Sequence, residues 1–376
     1  RRQPSYYVCG GEIMRWLKHR KFTKLLKEIE QPLVYDQKKD KYVIFSDQHI
    51  GMPEFDKNKY LYLKALDYYY QSGYTLIVLG DYEELHRYSK KELKKKYEDV
   101  YASERRFLDK DRYLRIFGNH DIDWRSTKRV AKHLHDVLPG LVIREALKFD
   151  CCGSSIFLAH GHQGSFINDI LGIFGRIILK YIARPLGISS MTSPAKRYTK
   201  RRKDENTYYN WAKENKVLFI TGHTHRPMFA SLSEGDRIRI TIENLFRKYV
   251  ETSDSAEKEK LEEAIKQKRT DFEREKEKEG DDSYWTCMGK PELITPCYSN
   301  DGSCLHANGI TCIELYKEKI RLLWLYDETQ PANVGKEKRA LTKDLLPGDS
   351  AAADYKRQFL EEEDLEYIFT RIRLLS

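Results

Sequence analysis

The sequence lacks any long apolar run. No stretch of its 376 residues is long and apolar enough to cross a bilayer, and none has the pattern of a secretory signal peptide. The seven cysteines include no C-x-x-C pair, which excludes a zinc ribbon. In a chain of this length, cysteines at irregular spacings indicate reduced thiols in a reducing compartment. We therefore expect a cytoplasmic protein.

The chain also lacks a strong excess of one charge. Its 67 lysines and arginines outnumber its 58 acidic residues, which gives a formal net charge of +9. An excess of this size is compatible with an anionic partner, but basic surfaces often serve only solubility. Hydrophobic residues make up 40% of the chain, so it can form one large domain with elaborations or two smaller domains.

Five short apolar segments are each typical of a buried strand. They lie at residues 41–46, 75–79, 113–117, 155–159 and 217–220. Helical patterns, at residues 58–71 and 90–109, separate the first three segments. Strands that alternate with helices indicate an α/β fold, in which functional sites gather at the carboxyl ends of the strands.

Each of these segments is followed at once by side chains that bind metals or protons. In order, these residues are Asp47 and His49, Asp81, Asn119 with His120 and Asp121, His160 with His162, and His223 with His225. A single His-x-His pair is weak evidence of a metal site. Five such clusters at strand ends are much stronger evidence, because imidazole is the commonest metal ligand among side chains.

These clusters resemble those of metallophosphoesterases, and hydrolysis of a phosphate ester suits this set of ligands. Two divalent ions about 3.5–4 Å apart lower the pKa of bound water, neutralise the phosphoryl oxygens and orient the substrate. Ions that close together need an anion between them, and one carboxylate is sufficient. Mixed nitrogen and oxygen ligands suit Mn, Fe, Zn, Co or Ni better than Ca. We therefore predict two divalent transition-metal ions, with Mn as the first choice.

The five clusters, taken in order over residues 42–326, resemble those of the calcineurin-like metallophosphoesterases. The resemblance implies a four-layer αββα sandwich with a helical cap insertion and a charged helical insertion. It also implies that a metal-bound hydroxide hydrolyses a phosphomonoester, phosphodiester or pyrophosphate bond. The ligand sets it implies are Asp47, His49 and His225 for one ion, Asn119, His160 and His223 for the other, and Asp81 as the bridge.

The same resemblance gives roles to residues that are not ligands. It implies that His120 lies beside the phosphate as an electrostatic stabiliser or a proton donor to the leaving group, held by Asp121. His162 suits a substrate contact and a structural role equally well. The residues that could support the ligands are Tyr82, Glu83, Glu84, His86 and Arg226.

Outside the clusters, the chain divides into an amphipathic helical arm (1–40), a catalytic domain (41–326) and a C-terminal extension (327–376). The catalytic domain contains an insertion at 164–203, apolar in its first half and basic in its second, and a charged insertion at 247–282. We expect the first insertion to be a helical cap near the metal site. The second is typical of a solvated helical hairpin or a mobile insert.

Other elements follow from local patterns. Residues 237–242 alternate like a half-exposed strand, and residues 309–315 and 319–325 predict a β-hairpin that closes a second sheet. Residues 355–374 predict a helix, and so do residues 11–30. The helix at residues 11–30 either packs on the main domain or lies peripherally on an anionic membrane.

The cap insertion bears most directly on the substrate. The cap insertion is similar to that of the UDP-diacylglucosamine pyrophosphohydrolases, and so is the G-H-T-H-R-P motif at 222–227. The sequence differs from those enzymes at His120, where they tend to have arginine. The similarity implies a phosphorylated small-molecule or lipid-linked substrate, hydrophobic or nucleotide-linked, although core packing explains the apolar half equally well.

Two alternatives stay open. The basic half of the cap also suits nucleic acid, but it lacks the interleaved aromatic residues of a single-strand surface, so a nuclease or cyclic-nucleotide phosphodiesterase is the weaker hypothesis. A protein that keeps the metal site only for binding a partner is another hypothesis. The presence of His120 beside a full set of ligands argues against lost activity.

Overall fold

The computed structural model describes residues 7–151, 153–164, 198–279, 293–329, 343–345 and 355–376. The strands are β1 Leu33–Val34, β2 Tyr42–Phe45, β3 Thr75–Leu79, β4 Tyr113–Ile116, β5 Ile143–Arg144, β6 Ala146–Cys151, β7 Ser154–Ala159, β8 Leu218–Thr221, β9 Tyr298–Asn300, β10 Ile310–Tyr316, β11 Lys319–Asp327, β12 Lys343–Leu345 and β13 Tyr355–Asp364. The helices are α1 Tyr7–Glu28, α2 Pro53–Gln71, α3 Lys90–Lys96, α4 Glu98–Leu108, α5 Thr127–Leu134, α6 Tyr198–Asn215, α7 Glu234–Glu251, α8 Ser255–Glu279 and α9 Leu365–Leu375.

The larger sheet has eight strands in the order β12-β13-β11-β10-β2-β3-β4-β5. Strands β2 to β5 run parallel, whereas β10, β11 and β13 pair antiparallel. Parallel neighbours need a crossover connection, and α2 supplies it between β2 and β3. The carboxyl ends of β2, β3 and β4 therefore lie together at one edge of the sheet.

The smaller sheet has five strands in the order β1-β6-β7-β8-β9. Strands β6 and β7 form an antiparallel hairpin, and β7, β8 and β9 run parallel. Two of the five predicted strands, β7 and β8, belong to this sheet, and the other three belong to the larger one. The five clusters of polar residues therefore come from two sheets.

Alternate side chains of β3 show how the layers pack. Leu76 and Val78 join a hydrophobic cluster with residues of α2 and α4, whereas Ile77 and Leu79 join a cluster with residues of the smaller sheet. This alternation follows from the two-residue period of a strand. The outer face of the smaller sheet is covered by helices, and the ring of Phe22 in α1 lies 5.1 Å from that of Phe219 in β8. The predicted four-layer αββα sandwich is confirmed.

The helix predicted at residues 11–30 is α1. Its Phe22 and Leu25 are buried in the hydrophobic cluster of the smaller sheet, so α1 packs on the main domain. Among the residues that the structure describes, no helix is long and apolar enough to cross a membrane.

The strand predicted at residues 237–242 is wrong, because these residues lie inside α7. A capping box begins this helix: the Ser233 hydroxyl accepts a hydrogen bond from the Asp236 amide at 3.2 Å, and the Asp236 carboxylate accepts one from the Ser233 amide at 3.2 Å. These bonds satisfy amide groups that the first helical turn leaves unpaired, and so favour a helix. The alternation of apolar and charged residues, which predicts a strand, does not decide the structure here.

Two predictions for the C-terminal third are also corrected. The hairpin predicted at 309–315 and 319–325 exists as β10 and β11, but it extends the larger sheet by pairing with β2 instead of closing the second one. The helix predicted at 355–374 is a strand over its first half, since β13 pairs with β11. Only its second half is helical, as α9.

The predicted insertions are described in part. The apolar half of the cap, within residues 165–197, lies outside the described residues, whereas 198–203 begin α6. In the charged insertion, α7 and α8 lie side by side, and the Tyr249 hydroxyl donates a hydrogen bond to Glu262 at 2.7 Å. A helical hairpin therefore forms there, and it begins before residue 247 because α7 begins at Glu234.

Candidate metal centre

The ends of β2, β3 and β8 place candidate ligands in an unusual backbone conformation. Asp47, His49, Asp81, His223 and His225 all have positive φ, between 45° and 69°. This left-handed region costs energy for residues other than glycine, and such residues cluster at functional sites where the surrounding structure holds them. Here the Asp47 amide donates to the Gly80 carbonyl at 3.0 Å and the His49 amide to the Asp81 carbonyl at 2.9 Å.

Three glycines of the motifs let these loops approach one another. A Cβ atom on Gly80 would lie 2.7 Å from the ring of His160. On Gly118 it would collide with Oδ1 of Asp81, and on Gly222 with the hydroxyl of Ser46. The glycines in G-D, G-N-H-D and G-H-T-H therefore make room for the residues that the other strand ends deliver.

One group of candidate ligands consists of Asp47, His49 and His225. Nε2 of His225 lies 2.9 Å from Oδ1 of Asp47 and 3.2 Å from Nε2 of His49. The other carboxylate oxygen of Asp47 accepts hydrogen bonds from the Ser46 hydroxyl at 2.5 Å and from the His223 amide at 2.8 Å. These bonds fix the carboxylate so that Oδ1 faces the two imidazoles.

The second group consists of Asp81, His160 and His223, whose ligand atoms lie within 4.8 Å of one another. Nδ1 of His160 donates a hydrogen bond to the Leu79 carbonyl at 2.9 Å. In the neutral form of the ring this bond leaves the lone pair on Nε2, which lies 3.2 Å from Oδ2 of Asp81. Asn119 immediately precedes His120, whose amide donates to Oδ1 of Asp81 at 2.8 Å.

The Asp81 carboxylate faces both groups. Its Oδ2 lies 3.7 Å from Nε2 of His49 in the first group and 3.2 Å from Nε2 of His160 in the second. The positive charges of His160 and His120 keep the pKa of Asp81 well below its usual value, although burial acts in the opposite direction. Candidate ligands of both groups therefore lie beside one buried carboxylate.

Several buried atoms at this centre make no hydrogen bond: Oδ1 of Asp47, Oδ1 of Asn119 and Nε2 of His160. A buried polar atom without a partner is costly, and each of these three is an atom that could ligate a cation. Together with the neighbouring imidazoles, they form a set of nitrogen and oxygen donors that suits a divalent transition metal. The residues present therefore fit divalent metal ions.

His120 lies beside this centre and remains partly accessible. Its side chain is 18% exposed, and its Nε2 is 3.9 Å from Oδ2 of Asp81. Its Nδ1 donates to Oε1 of Glu84 at 2.9 Å, and Oε2 of Glu84 accepts a hydrogen bond from Nδ1 of His49 at 3.1 Å. Glu84 therefore holds a candidate ligand and a candidate proton donor at once, and leaves Nε2 of each directed into the site.

The predicted contact between Asp121 and His120 is wrong. Oδ1 of Asp121 accepts a hydrogen bond from the Gly118 amide at 2.6 Å, and its Oδ2 accepts one from the Tyr82 amide at 3.1 Å. Asp121 thus ties the loop after β4 to the loop after β3. Burial, followed by the charge of Glu83, raises the pKa of Asp121 to about 7.

The remaining residues singled out in the sequence surround the centre. The ring of His86 lies 4.5 Å from that of His120. Arg226 donates to Glu205 at 2.9 Å. Among the residues that the structure describes, His162 belongs to no ligand group, and burial, followed by His160, keeps its pKa well below the usual value.

Sequence reasoning missed buried polar residues behind the ligands. Arg115, in the middle of β4, contacts both Glu83 and Asp121. The Ser46 hydroxyl, whose single hydrogen goes to Asp47, also lies 2.7 Å from Oδ1 of Asp301. Two features of the sequence could have pointed to these residues. Arg115 is a charged residue inside an apolar strand, and Asp301 lies in an Asn-Asp-Gly turn at the end of β9.

Residues 40–227 match the model of the calcineurin-like phosphoesterase family. This stretch is half of the chain and contains every residue assigned to the two ligand groups, together with His120, Asp121 and Glu84. The chain belongs to the calcineurin-like phosphoesterase family, and it is a metal-dependent phosphoric ester hydrolase. No curated protein matches the sequence.

Proposed function

We propose that this chain is a binuclear phosphoesterase, with Asp81 as the carboxylate shared by two divalent ions. The observation that carries the proposal is the position of Asp81, since its Oδ2 faces His49 of one ligand group and His160 of the other. Asp47, His49 and His225 would hold one ion, and Asn119, His160 and His223 the other. Ions bound there would supply a nucleophile from water near neutral pH and would neutralise the phosphoryl oxygens.

The chain's own residues would orient and protonate the substrate. His120 and His225 are the partly exposed imidazoles, at 18% and 20%, whereas His49 and His160 are buried. A substrate would therefore enter on the side of His120 and His225. Nδ1 of His120 is engaged by Glu84, so Nε2 is the atom that would stabilise the phosphoryl group or give a proton to the leaving oxygen.

A phosphorylated small molecule is the substrate class that we propose, with Mn as the first metal to test. The buried donor set suits a compact phosphoryl group, and the ligands are a mixture of nitrogen and oxygen atoms. Hydrolysis of p-nitrophenyl phosphate, of bis-p-nitrophenyl phosphate and of a panel of nucleotide-sugar, cyclic-nucleotide and lipid phosphates would separate monoesterase, diesterase and pyrophosphatase activity.

The decisive variant is Asp81→Asn, which keeps the shape but removes the bridging charge. We expect it to abolish turnover and to reduce the bound metal from two ions per chain to one or none. The exposed Asp109→Asn serves as the control, since within the described part of the chain that carboxylate forms an ion pair with the nearby Arg105, at 3.5 Å. Full activity of Asp81→Asn, or a wild-type chain that binds a single ion, would overturn the binuclear proposal.

A further inference from the structure

The N-terminal helix α1 lies outside the residues that match the family, yet it packs beside one half of the metal centre. Its partner is α6, the helix that precedes β8. The ring of Phe22 lies 5.4 Å from that of Trp211, and Nε1 of Trp211 donates to the Thr23 hydroxyl at 3.0 Å. Helix α1 is therefore anchored to α6 by apolar and polar contacts.

Lys18 of α1 is buried at this contact, with only 2% of its surface exposed. Its ammonium donates to Oδ1 of Asp204 at 2.7 Å and to the Tyr208 hydroxyl at 3.1 Å. Burying an ammonium group is costly unless it is paired and hydrogen-bonded. Asp204 and Tyr208 of α6 therefore hold the Lys18 ammonium in place.

Tyr208 transmits this position to the turn that carries His160. Its hydroxyl accepts from Lys18, and its single hydrogen goes to the Gly161 carbonyl at 2.7 Å. A Cβ atom on Gly161 would lie 3.1 Å from the Tyr208 hydroxyl and 3.2 Å from Cβ of His223. Gly161 is thus held between Tyr208 and His223, directly after His160.

The end of the same turn rests on α1 itself. A Cβ atom on Gly164 would lie 2.6 Å from Cα of Lys18 and 2.8 Å from the carbonyl oxygen of Leu17. The turn after His160 is therefore held at Gly161 by a hydrogen bond and at Gly164 by backbone contact with α1. In the other ligand group, the side chains of Asp47 and His49 are held by Ser46 and Glu84, and Asp47 also accepts a hydrogen bond from the backbone amide of His223.

We propose that Lys18 and Tyr208 are positioning residues for one metal position only, the one formed by His160, His223 and Asn119. Their relay, from the Lys18 ammonium through the Tyr208 hydroxyl to the Gly161 carbonyl, fixes the two imidazoles of that position. The N-terminal helix thereby sets the affinity for one ion and leaves the other unchanged. This inference rests on the binuclear proposal above.

The test compares Tyr208→Phe and Lys18→Met with matched controls on the same helices. Tyr209→Phe removes a neighbouring hydroxyl whose partner is the Thr295 amide, at 3.4 Å. Lys24→Met removes an exposed ammonium that pairs with Glu28 at 3.5 Å. Each apo protein is titrated with Co²⁺ while its visible absorption and its bound metal are measured, and His160→Ala and His225→Ala provide the reference spectra of the singly occupied forms.

We expect Tyr208→Phe and Lys18→Met to bind one Co²⁺ with wild-type affinity and the second about tenfold more weakly, as is usual when support for metal ligands is lost. The spectrum at one equivalent should match that of His160→Ala, and the controls should behave as wild type. If Lys18→Met does not fold by circular dichroism, Tyr208→Phe decides alone.

Two results would overturn the inference. One is a Tyr208→Phe protein that binds both ions with wild-type affinity, and the other is an equal loss at both positions. Either is distinguishable from failure of the binuclear proposal, because in that case the wild-type chain itself would not take up two Co²⁺ ions.

Discussion

Glu84→Gln tests the residue that holds both a candidate metal ligand and the candidate proton donor. The Glu84 carboxylate accepts hydrogen bonds from Nδ1 of His120 at 2.9 Å and from Nδ1 of His49 at 3.1 Å. Glutamine keeps one acceptor oxygen but places an NH₂ group against the second imidazole. That imidazole must then move or shift its proton to Nε2, which removes the lone pair that would bind a metal.

The size of the effect follows from the bonds that are lost. A hydrogen bond to a charged group contributes about 1.5–3 kcal/mol, and about 1.4 kcal/mol corresponds to a tenfold change in affinity. Loss of one such bond at His49 should weaken the binding of one metal ion about 10–100-fold. Losses of this size are usual when a residue that supports a metal ligand is changed. Turnover should fall further, because His120 loses its orientation as well.

The assay is a Mn²⁺ titration of the apo protein by calorimetry, followed by turnover of p-nitrophenyl phosphate at saturating Mn²⁺. The control is Glu54→Gln, an exposed glutamate in the first turn of α2. We expect the control to match wild type in both measurements. A Glu84→Gln protein with unchanged metal affinity and unchanged turnover would refute the role that the geometry gives to Glu84.

Three further predictions follow. His120→Ala should keep both metal ions but lower kcat about 10²–10⁴-fold for an alkyl phosphate, and less for p-nitrophenyl phosphate, whose leaving group needs no proton; equal losses for the two substrates would contradict a proton-donating role. Gly222→Ala should lose metal, since the added methyl collides with Ser46 and approaches Asp47 to 2.5 Å, and normal metal content in a folded variant would contradict this steric argument. Burial raises the pKa of Glu104 to about 7 from 4.5. Between these two pH values the folded chain keeps a proton on Glu104 that the unfolded chain releases. The free energy of unfolding should therefore fall as pH rises from about 4.5 to about 7, by at most about 3 kcal/mol. Glu104→Gln should flatten that part of the pH profile of urea unfolding, and an identical slope in wild type and variant would count against it.

The positions of the candidate ligands could be predicted because they depend on short-range patterns. An apolar strand followed by a metal-binding side chain places that side chain at the end of a parallel strand, and β2, β3, β4, β7 and β8 all lie where the sequence indicates. After β3, β4 and β8, a glycine precedes that side chain. The glycines were visible as motif letters. Their steric necessity, such as Gly80 against His160, appears only when two strands from different parts of the chain meet.

Two of the errors came from contacts between distant residues. Asp121 is adjacent to His120 in sequence, but Glu84 is the residue whose carboxylate reaches the ring. The loops after β3 and β4 determine this pairing, and no sequence spacing encodes it. Likewise, β13 is a strand because it pairs with β11 across a long separation in sequence, although its local composition favours a helix.

Anomalous diffraction from crystals soaked in Mn²⁺ tests the central claim most directly. The account predicts two peaks per chain, about 3.5–4 Å apart, with the carboxylate of Asp81 between them. His49 and His225 should lie at one peak, and His160 and His223 at the other. A single peak, or two peaks of which neither contacts Asp81, would contradict it.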